Sequence, residues 1–133
     1  MRVVVPAESR AGEKRVALLP DIISKLTRAG LNVAIQSKAG THAGANDAAY
    51  TESGATIFGQ SDLDRELSAA DVVLSVQPLS ASDISHLKRG AITISFLSAT
   101  SAGESIEAFA QAGVTAISLE AVPRISRAQS MDA

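Results

Sequence analysis

The chain has 133 residues, of which 46% are hydrophobic, 20% charged and only 3% aromatic, and its formal net charge is −2 at pH 7. This length suits one domain with its own, mainly aliphatic core. The weak negative charge offers no basic surface for nucleic acid, and the absence of cysteine excludes disulfides, a thiolate nucleophile and cysteine-ligated metals. No apolar stretch approaches the ~18–20 residues of a membrane span, so we expect membrane contact only through a partner.

Six short apolar segments, several of them rich in valine and isoleucine, predict β-strands. Their nearly continuous apolar character is typical of strands that are buried on both faces. In chain order they are Arg2–Val5, Leu31–Gln36, Ala55–Phe58, Asp71–Gln77, Ala91–Leu97 and Thr115–Ala121.

Helical patterns occupy several of the intervals, and each is followed by a glycine that ends the helix before the next strand begins. This alternation predicts an α/β fold, Rossmann-like or flavodoxin-like, with a mainly parallel sheet covered by helices on both faces. Because no linker interrupts the chain, we expect residues 1–133 to form one domain. The predicted helices are Pro20–Ala29, Asn46–Ser53, Ser82–Arg89 and Ser101–Ala112.

The sequence lacks the short motifs of several enzyme classes. It contains no GxGxxG fingerprint for a dinucleotide, no Walker A motif and no GxSxG nucleophile motif. Its two histidines, His42 and His86, lie far apart without the spacing of metal ligands, and we interpret both as structural. We therefore expect neither a metal site nor a catalytic side chain.

Two polar loops remain as candidate sites. The first is Glu8–Arg15 (ESRAGEKR) and the second is Pro123–Ala133 (PRISRAQSMDA). Ligands of parallel sheets bind where the strands end, so the loops after Val5 and after Ala121 qualify by position. The arginine, glutamine and aspartate of the second loop combine the donors and acceptors that suit a carboxamide and an adjacent ribose. The alternative interpretation of both loops is a solvated surface.

Several stretches of the sequence resemble those of a known protein family. Residues 2–40 (RVVVPAESRAGEKRVALLP followed by DIISKLTRAGLNVAIQSKAG), then GANDAAYTESGAT and AADVVLSVQP, resemble the start of the alanine dehydrogenase/proton-translocating nicotinamide nucleotide transhydrogenase family. PRISRAQSMDA resembles more specifically the α subunits of the transhydrogenases. The resemblance covers essentially the whole chain.

The resemblance implies an oxidoreductase that transfers hydride between NAD(H) and NADP(H) and couples it to proton passage across a membrane. It implies an NAD(H)-binding component with two Rossmann-like domains, of which this chain matches the first, while the second carries the glycine fingerprint and is absent. The implied partners are that second domain, membrane and NADP(H)-binding subunits, and a second copy of the α component. The implied location is cytoplasmic, peripheral to the inner membrane, and the domain alone should be inactive.

The resemblance also implies which residues contact the cofactor. An arginine, a glutamine and an aspartate of the family's loop reach the nicotinamide end, and they match Arg124, Gln129 and Asp132; we assign Arg127 a weaker role. Arg124 would orient the carboxamide oxygen and Asp132 would accept from an amide or ribose hydroxyl. Direct hydride transfer between nicotinamides requires positioning rather than an acid, a base or a nucleophile, which agrees with the absence of catalytic residues.

Departures from the family pattern distinguish its two branches. In alanine dehydrogenases an arginine that matches Arg15 binds the substrate carboxylate, with a lysine in the fourth strand and a histidine after the fifth. Here the fourth strand carries Ser75 and Gln77, and no histidine follows the fifth. We interpret Arg15 as a relic of the fold or as a structural pair. Ser75 is also a mild departure from the transhydrogenase pattern, in which a lysine is more common at this position. Two alternatives stay open: a domain of an alanine- or saccharopine-type dehydrogenase, and a non-enzymatic module that binds a partner.

Overall fold

The computed structural model describes residues 1–9, 12–95 and 109–118. Its six-stranded sheet has the order β3-β2-β1-β4-β5-β6, and every neighbouring pair is parallel, which confirms the predicted fold class. The strands are β1 (Arg2–Val5), β2 (Asn32–Gln36), β3 (Thr56–Phe58), β4 (Val72–Ser75), β5 (Ile92–Ser95) and β6 (Thr115–Ser118).

Helices connect these strands, and residues 109–112 are also helical. The first two begin and end within one residue of their predicted bounds, because Pro20 starts one and the Asn46 side chain caps the other by accepting from the Ala49 amide. The third was not predicted at all. The four are α1 (Pro20–Arg28), α2 (Asp47–Glu52), α3 (Leu63–Ala69) and α4 (Ala81–Ser85), with short 3₁₀ turns at Thr41–Ala43 and Gln60–Asp62.

Side chains of the central strands alternate between two separate cores, one on each face of the sheet. Val3 and Val5 pack with Ile23 of α1 and Tyr50 of α2. Val4, between them, points to the opposite face, where the core includes Leu67 of α3, Ile84 of α4 and Val114. Val3, Val4 and Val5 are all buried, so the sheet is covered on both faces as predicted.

Two predicted elements in the second half of the chain, one strand and one helix, have bounds that differ from the prediction. The fourth strand ends at Ser75 rather than Gln77, because the amides of Val76 and Gln77 donate to a side chain instead of a neighbouring strand. The helix predicted at Ser82–Arg89 is shorter and ends at Ser85; it starts at Ala81 because the Ser80 hydroxyl accepts from the Asp83 amide. Residues 96–97, 101–108 and 119–121 of the predicted elements lie outside the described residues.

One buried tyrosine anchors the segment that returns from the first loop to α1. Tyr50 is fully buried, and its hydroxyl donates to the carbonyl of Leu18 over 2.7 Å. Gly40 lies against it so closely that a Cβ there would be 2.6 Å from the hydroxyl oxygen and 2.8 Å from the Ala45 carbonyl oxygen. Only glycine therefore fits at position 40. The bond from Tyr50 to Leu18 ties the end of the segment between β1 and α1 to α2.

Charged side chains close the amino-terminal edge of the sheet. The Arg2 guanidinium bonds Glu66 over 2.7 Å, and the Arg2 amide donates to Asp71 over 2.7 Å. The other oxygen of Asp71 accepts from the Lys88 ammonium at 2.6 Å. These bonds join the starts of β1 and β4 to α3 and to the turn before β5.

Candidate functional site at the carboxyl edge of the sheet

The strand order places a crevice between β1 and β4. From β1 the chain proceeds outward through β2 and β3 on one side, and through β4, β5 and β6 on the other, so the direction reverses at this pair. Open α/β sheets bind ligands in the crevice beyond the carboxyl ends of such a pair. A small open pocket lies there, lined by Pro6, Ala7, Glu8, Ser9, Ser75, Gln77, Pro78, Leu79, Ser80 and Asp83.

Glu8 connects the two sides of the crevice. Its carboxylate accepts from the amides of Val76 over 2.9 Å and Gln77 over 3.0 Å. Burial raises the pKa of Glu8 above its ordinary value, and the nearby charge of Glu13 acts in the same direction, while the two amide bonds oppose them. The acid thus replaces ladder hydrogen bonds at the point where β4 ends.

Glu13 binds two partners in the same loop region. Its oxygens accept from the Arg15 side chain at 2.9 and 3.0 Å, from the Arg15 amide at 2.9 Å, and from Nε2 of Gln77 at 2.7 Å. The bonds from Arg15, followed by that from Gln77, lower the pKa of Glu13 to about 2. Arg15 is therefore engaged in an ion pair, which agrees with its interpretation as a structural pair.

A second polar connection lies on the other side of β1. The buried amide of Gln36, at the end of β2, accepts from the Ala7 amide over 2.9 Å. Just beyond it, Asp47 accepts from the hydroxyl of Ser37 and from the amide of Lys38, which has a φ of 69°. The side chain at Asp47 thereby compensates for a backbone conformation that lysine rarely adopts.

The predicted cofactor contacts Arg124, Arg127, Gln129 and Asp132 lie outside the described residues. His42 lies in the 3₁₀ turn, and His86 follows α4, with Nε2 3.5 Å from Asp64. Within residues 1–9, 12–95 and 109–118, no group of acidic or histidine side chains is arranged to hold a metal ion.

The sequence analysis missed the combined role of Glu8, Glu13 and Gln77. It treated the first two as members of a polar loop, and Gln77 only as a residue that is not lysine. The available signal was the position of polar residues directly after two adjacent buried strands, but the sequence does not show that β1 and β4 are neighbours.

Comparison with known proteins identifies the family. The family model described as "Alanine dehydrogenase/PNT, N-terminal domain" matches residues 4–133. The chain belongs to this family.

Relatives from both branches of the family are similar to the chain. The first portion of the NAD(P) transhydrogenase subunit alpha of Rhodospirillum rubrum is 40% identical over 99% of the chain and 35% of the relative. Alanine dehydrogenase of Mycobacterium tuberculosis is 34% identical over 92% of the chain and 32% of the relative. The chain therefore spans about a third of the length of these curated relatives.

The solved structures agree with this assignment. A transhydrogenase from Sinorhizobium meliloti superimposes with a TM-score of 0.88 at 35% identity, covering 99% of the chain and 39% of that structure. The chain thus has the fold of a solved member of this family. None of the helices in the described stretches of the chain is long and apolar enough to cross a membrane.

Proposed function

We propose that this chain is the first of two domains in the NAD(H)-binding α subunit of a proton-translocating transhydrogenase, and that it forms one wall of the nicotinamide site. The observation that carries the proposal is similarity to transhydrogenase subunits over essentially the whole chain, at 40% identity. PRISRAQSMDA, the segment that resembles transhydrogenases most specifically, comes after the last strand in the sequence, and that strand is parallel to those that form the crevice.

The chemistry of the crevice suits the amide end of a nicotinamide dinucleotide and not its pyrophosphate. The pyrophosphate requires a glycine-rich turn with free amides at a helix N-terminus, and the sequence has no GxGxxG. Among the described residues that line the pocket, Glu8 and Asp83 are acids and none is basic. We therefore assign the pyrophosphate to a second domain that carries the glycine fingerprint.

Within this proposal the four residues of the last loop contact the nicotinamide end. Arg124 donates to the carboxamide oxygen, and Asp132 accepts from the amide nitrogen or a ribose hydroxyl. Gln129 performs either task or faces the second nucleotide, and Arg127 has a smaller effect. When bound, the cofactor supplies the hydride chemistry, while these residues orient the ring.

The partners and location follow from the same proposal. The domain packs against its second domain, and the α component pairs with a second copy of itself. Membrane and NADP(H)-binding subunits hold it at the cytoplasmic face of the inner membrane. Direct hydride transfer between two nicotinamides would require the protein to hold both rings at contact distance.

Calorimetric titration with NADH tests the proposal that the cofactor needs contacts from both domains to bind. We expect no tight binding to the 133-residue chain, because half of the cleft does not hold a dinucleotide. We expect binding to the full polypeptide that includes the second domain, weakened at least several-fold by Arg124→Ala or Asp132→Ala and unchanged by Arg65→Ala, a largely exposed control. Submicromolar affinity of the isolated chain, or no effect of the two loop substitutions, would contradict the proposal.

A second candidate is a domain of an alanine dehydrogenase, which the 34% identity to such an enzyme favours. Against it, Arg15 is already paired with Glu13, and Ser75 stands where the substrate-binding lysine would be expected from the family resemblance. Pyruvate- and ammonium-dependent oxidation of NADH by the full polypeptide would establish this function instead.

A further inference from the structure

The bond between Glu13 and Gln77 fixes which way the Gln77 amide faces. An ionised carboxylate only accepts hydrogen bonds, so the nitrogen of the amide must point to it. Nε2 of Gln77 lies 2.7 Å from Glu13, and the Glu13 side chain is only 5% exposed. Oε1 of Gln77 is therefore directed away from Glu13, and no donor among residues 1–9, 12–95 and 109–118 bonds to it.

The charged side chains that line the crevice beside Gln77 are acids, whereas its serine hydroxyls both donate and accept hydrogen bonds. Ser75 is only 3% exposed, lines the same pocket, and its hydroxyl has no hydrogen-bond partner in the described stretches of the chain. Asp83 and Glu8 contribute carboxylate oxygens to the lining. A ligand group that donates hydrogen bonds therefore suits this crevice better than a carboxylate or phosphate, which would face the carboxylates of Glu8 and Asp83.

We infer that Gln77 is a specificity-determining residue whose Oε1 accepts from the carboxamide NH₂ of the nicotinamide, and that Glu13 is the positioning residue that orients it. This inference rests on the proposed function. The proposed function places the nicotinamide end of the cofactor in the crevice beyond the carboxyl ends of β1 and β4, and Gln77 lines that crevice.

An analogue that lacks only the amide nitrogen tests the inference. Reduced 3-acetylpyridine adenine dinucleotide keeps the carbonyl but carries a methyl group in place of NH₂. We define the discrimination ratio as the Kd of this analogue divided by the Kd of NADH, measured by calorimetry on the full polypeptide. Loss of one neutral hydrogen bond in Gln77→Leu should lower the ratio roughly 3- to 10-fold.

Glu13→Gln provides an independent variant that keeps Gln77. A glutamine at position 13 both donates and accepts, so it no longer dictates the orientation of the Gln77 amide. The ratio should fall, but by less than in Gln77→Leu. The matched control is Gln111→Leu, an exposed glutamine that precedes β6 at the opposite edge, and it should leave the ratio unchanged.

The outcomes separate this inference from the proposed function. If the wild-type polypeptide does not bind NADH, the proposed function fails. If it binds NADH but both Gln77→Leu and Glu13→Gln keep the wild-type ratio, the inference is wrong while the proposed function stands. Equal weakening of both nucleotides, with an unchanged ratio, would show a structural role only and would overturn the inference as well.

Discussion

Acidic side chains bond cations and backbone amides at both edges of the sheet, but the two edges differ in the polar groups that they leave without a partner. At the amino-terminal edge, Arg2 and Lys88 bond the acids Glu66 and Asp71, so each acid lies against a cation or an amide of the same cluster. At the carboxyl edge, Glu8 and Glu13 also bond amides and a cation, but the arrangement leaves Oε1 of Gln77 and the Ser75 hydroxyl without partners in the described residues. The bonds of the first edge all join protein groups to one another, whereas the unpartnered groups of the second edge are those on which the proposed ligand contact of Gln77 rests.

We expect the largest effect on stability when the ion pair between Arg2 and Glu66 at the amino-terminal edge is removed. Arg2→Leu leaves the buried Glu66 carboxylate without its cation and should lower the free energy of unfolding by about 2–3 kcal/mol. Arg65→Leu, which removes a mostly exposed pair with Asp62, should cost less than about 0.5 kcal/mol. Urea denaturation of both variants at pH 7 measures the difference, and equal losses would show that the Arg2 pair does not stabilise this edge.

Acid titration tests the carboxyl edge. Because the pKa of Glu13 in the folded state is about 2, below its ordinary value of 4.5, its contribution to stability is present above pH 4.5 and is lost as the pH falls towards 2. Glu13→Gln should remove this part of the acid-induced loss, so its stability should fall less steeply between pH 4.5 and 2. Denaturation midpoints across that range check the slope; identical slopes in variant and wild type would contradict the assignment.

The two acids of the carboxyl edge should also influence each other. Burial raises the pKa of Glu8 and the charge of Glu13 raises it further, so Glu8 contributes stability below pH 4.5 that is lost as the pH rises through its folded pKa. Glu13→Gln removes the second cause and should lower the pKa of Glu8. Titration of the Glu8 side-chain carbon signal by NMR measures this shift, and an unchanged or raised pKa would show that the two carboxylates are not coupled.

We expect the smallest effect for the corresponding change in the pKa of an acid, Asp71, at the amino-terminal edge. The hydrogen bond from Lys88 is the main cause that holds the pKa of Asp71 below its ordinary value, followed by the bond from the Arg2 amide. Lys88→Met should therefore raise the pKa of Asp71, opposite in sign to the shift of Glu8 in Glu13→Gln. NMR titration of Asp71 in the variant measures it. A pKa that stays in place would assign the lowering to the Arg2 amide alone.

Much of the fold could be predicted because its strands are apolar and its helices end at glycines. The third helix was missed since residues 63–69 (LDRELSA) are mostly polar; only Leu67 and Glu66 are buried there, and Glu66 is stabilised by Arg2 from a distant strand. The fourth strand was predicted too long because VVLSVQ continues the apolar pattern, whereas Glu8 takes the last two amides. In both cases a long-range polar contact overrides a local pattern.

The cofactor contacts predicted at Arg124, Arg127, Gln129 and Asp132 stay predictions, since they lie outside the described residues. They rest on the family motif in PRISRAQSMDA. By contrast, the crevice that contains Gln77 was recognised only from the structure, although all its residues are visible in the sequence.

The sequence by itself determined the fold class, through alternating apolar segments and helix-ending glycines, and the family, through motifs along the whole chain. Only the tertiary structure decided that β1 and β4 are neighbours, and hence that Glu8, Glu13 and Gln77 meet at one crevice. The physical reason is that hydrophobic periodicity specifies which residues of a strand are buried, but not which strand lies beside it. That choice depends on how helices pack on both faces of the sheet, which joins residues more than 60 positions apart in the chain.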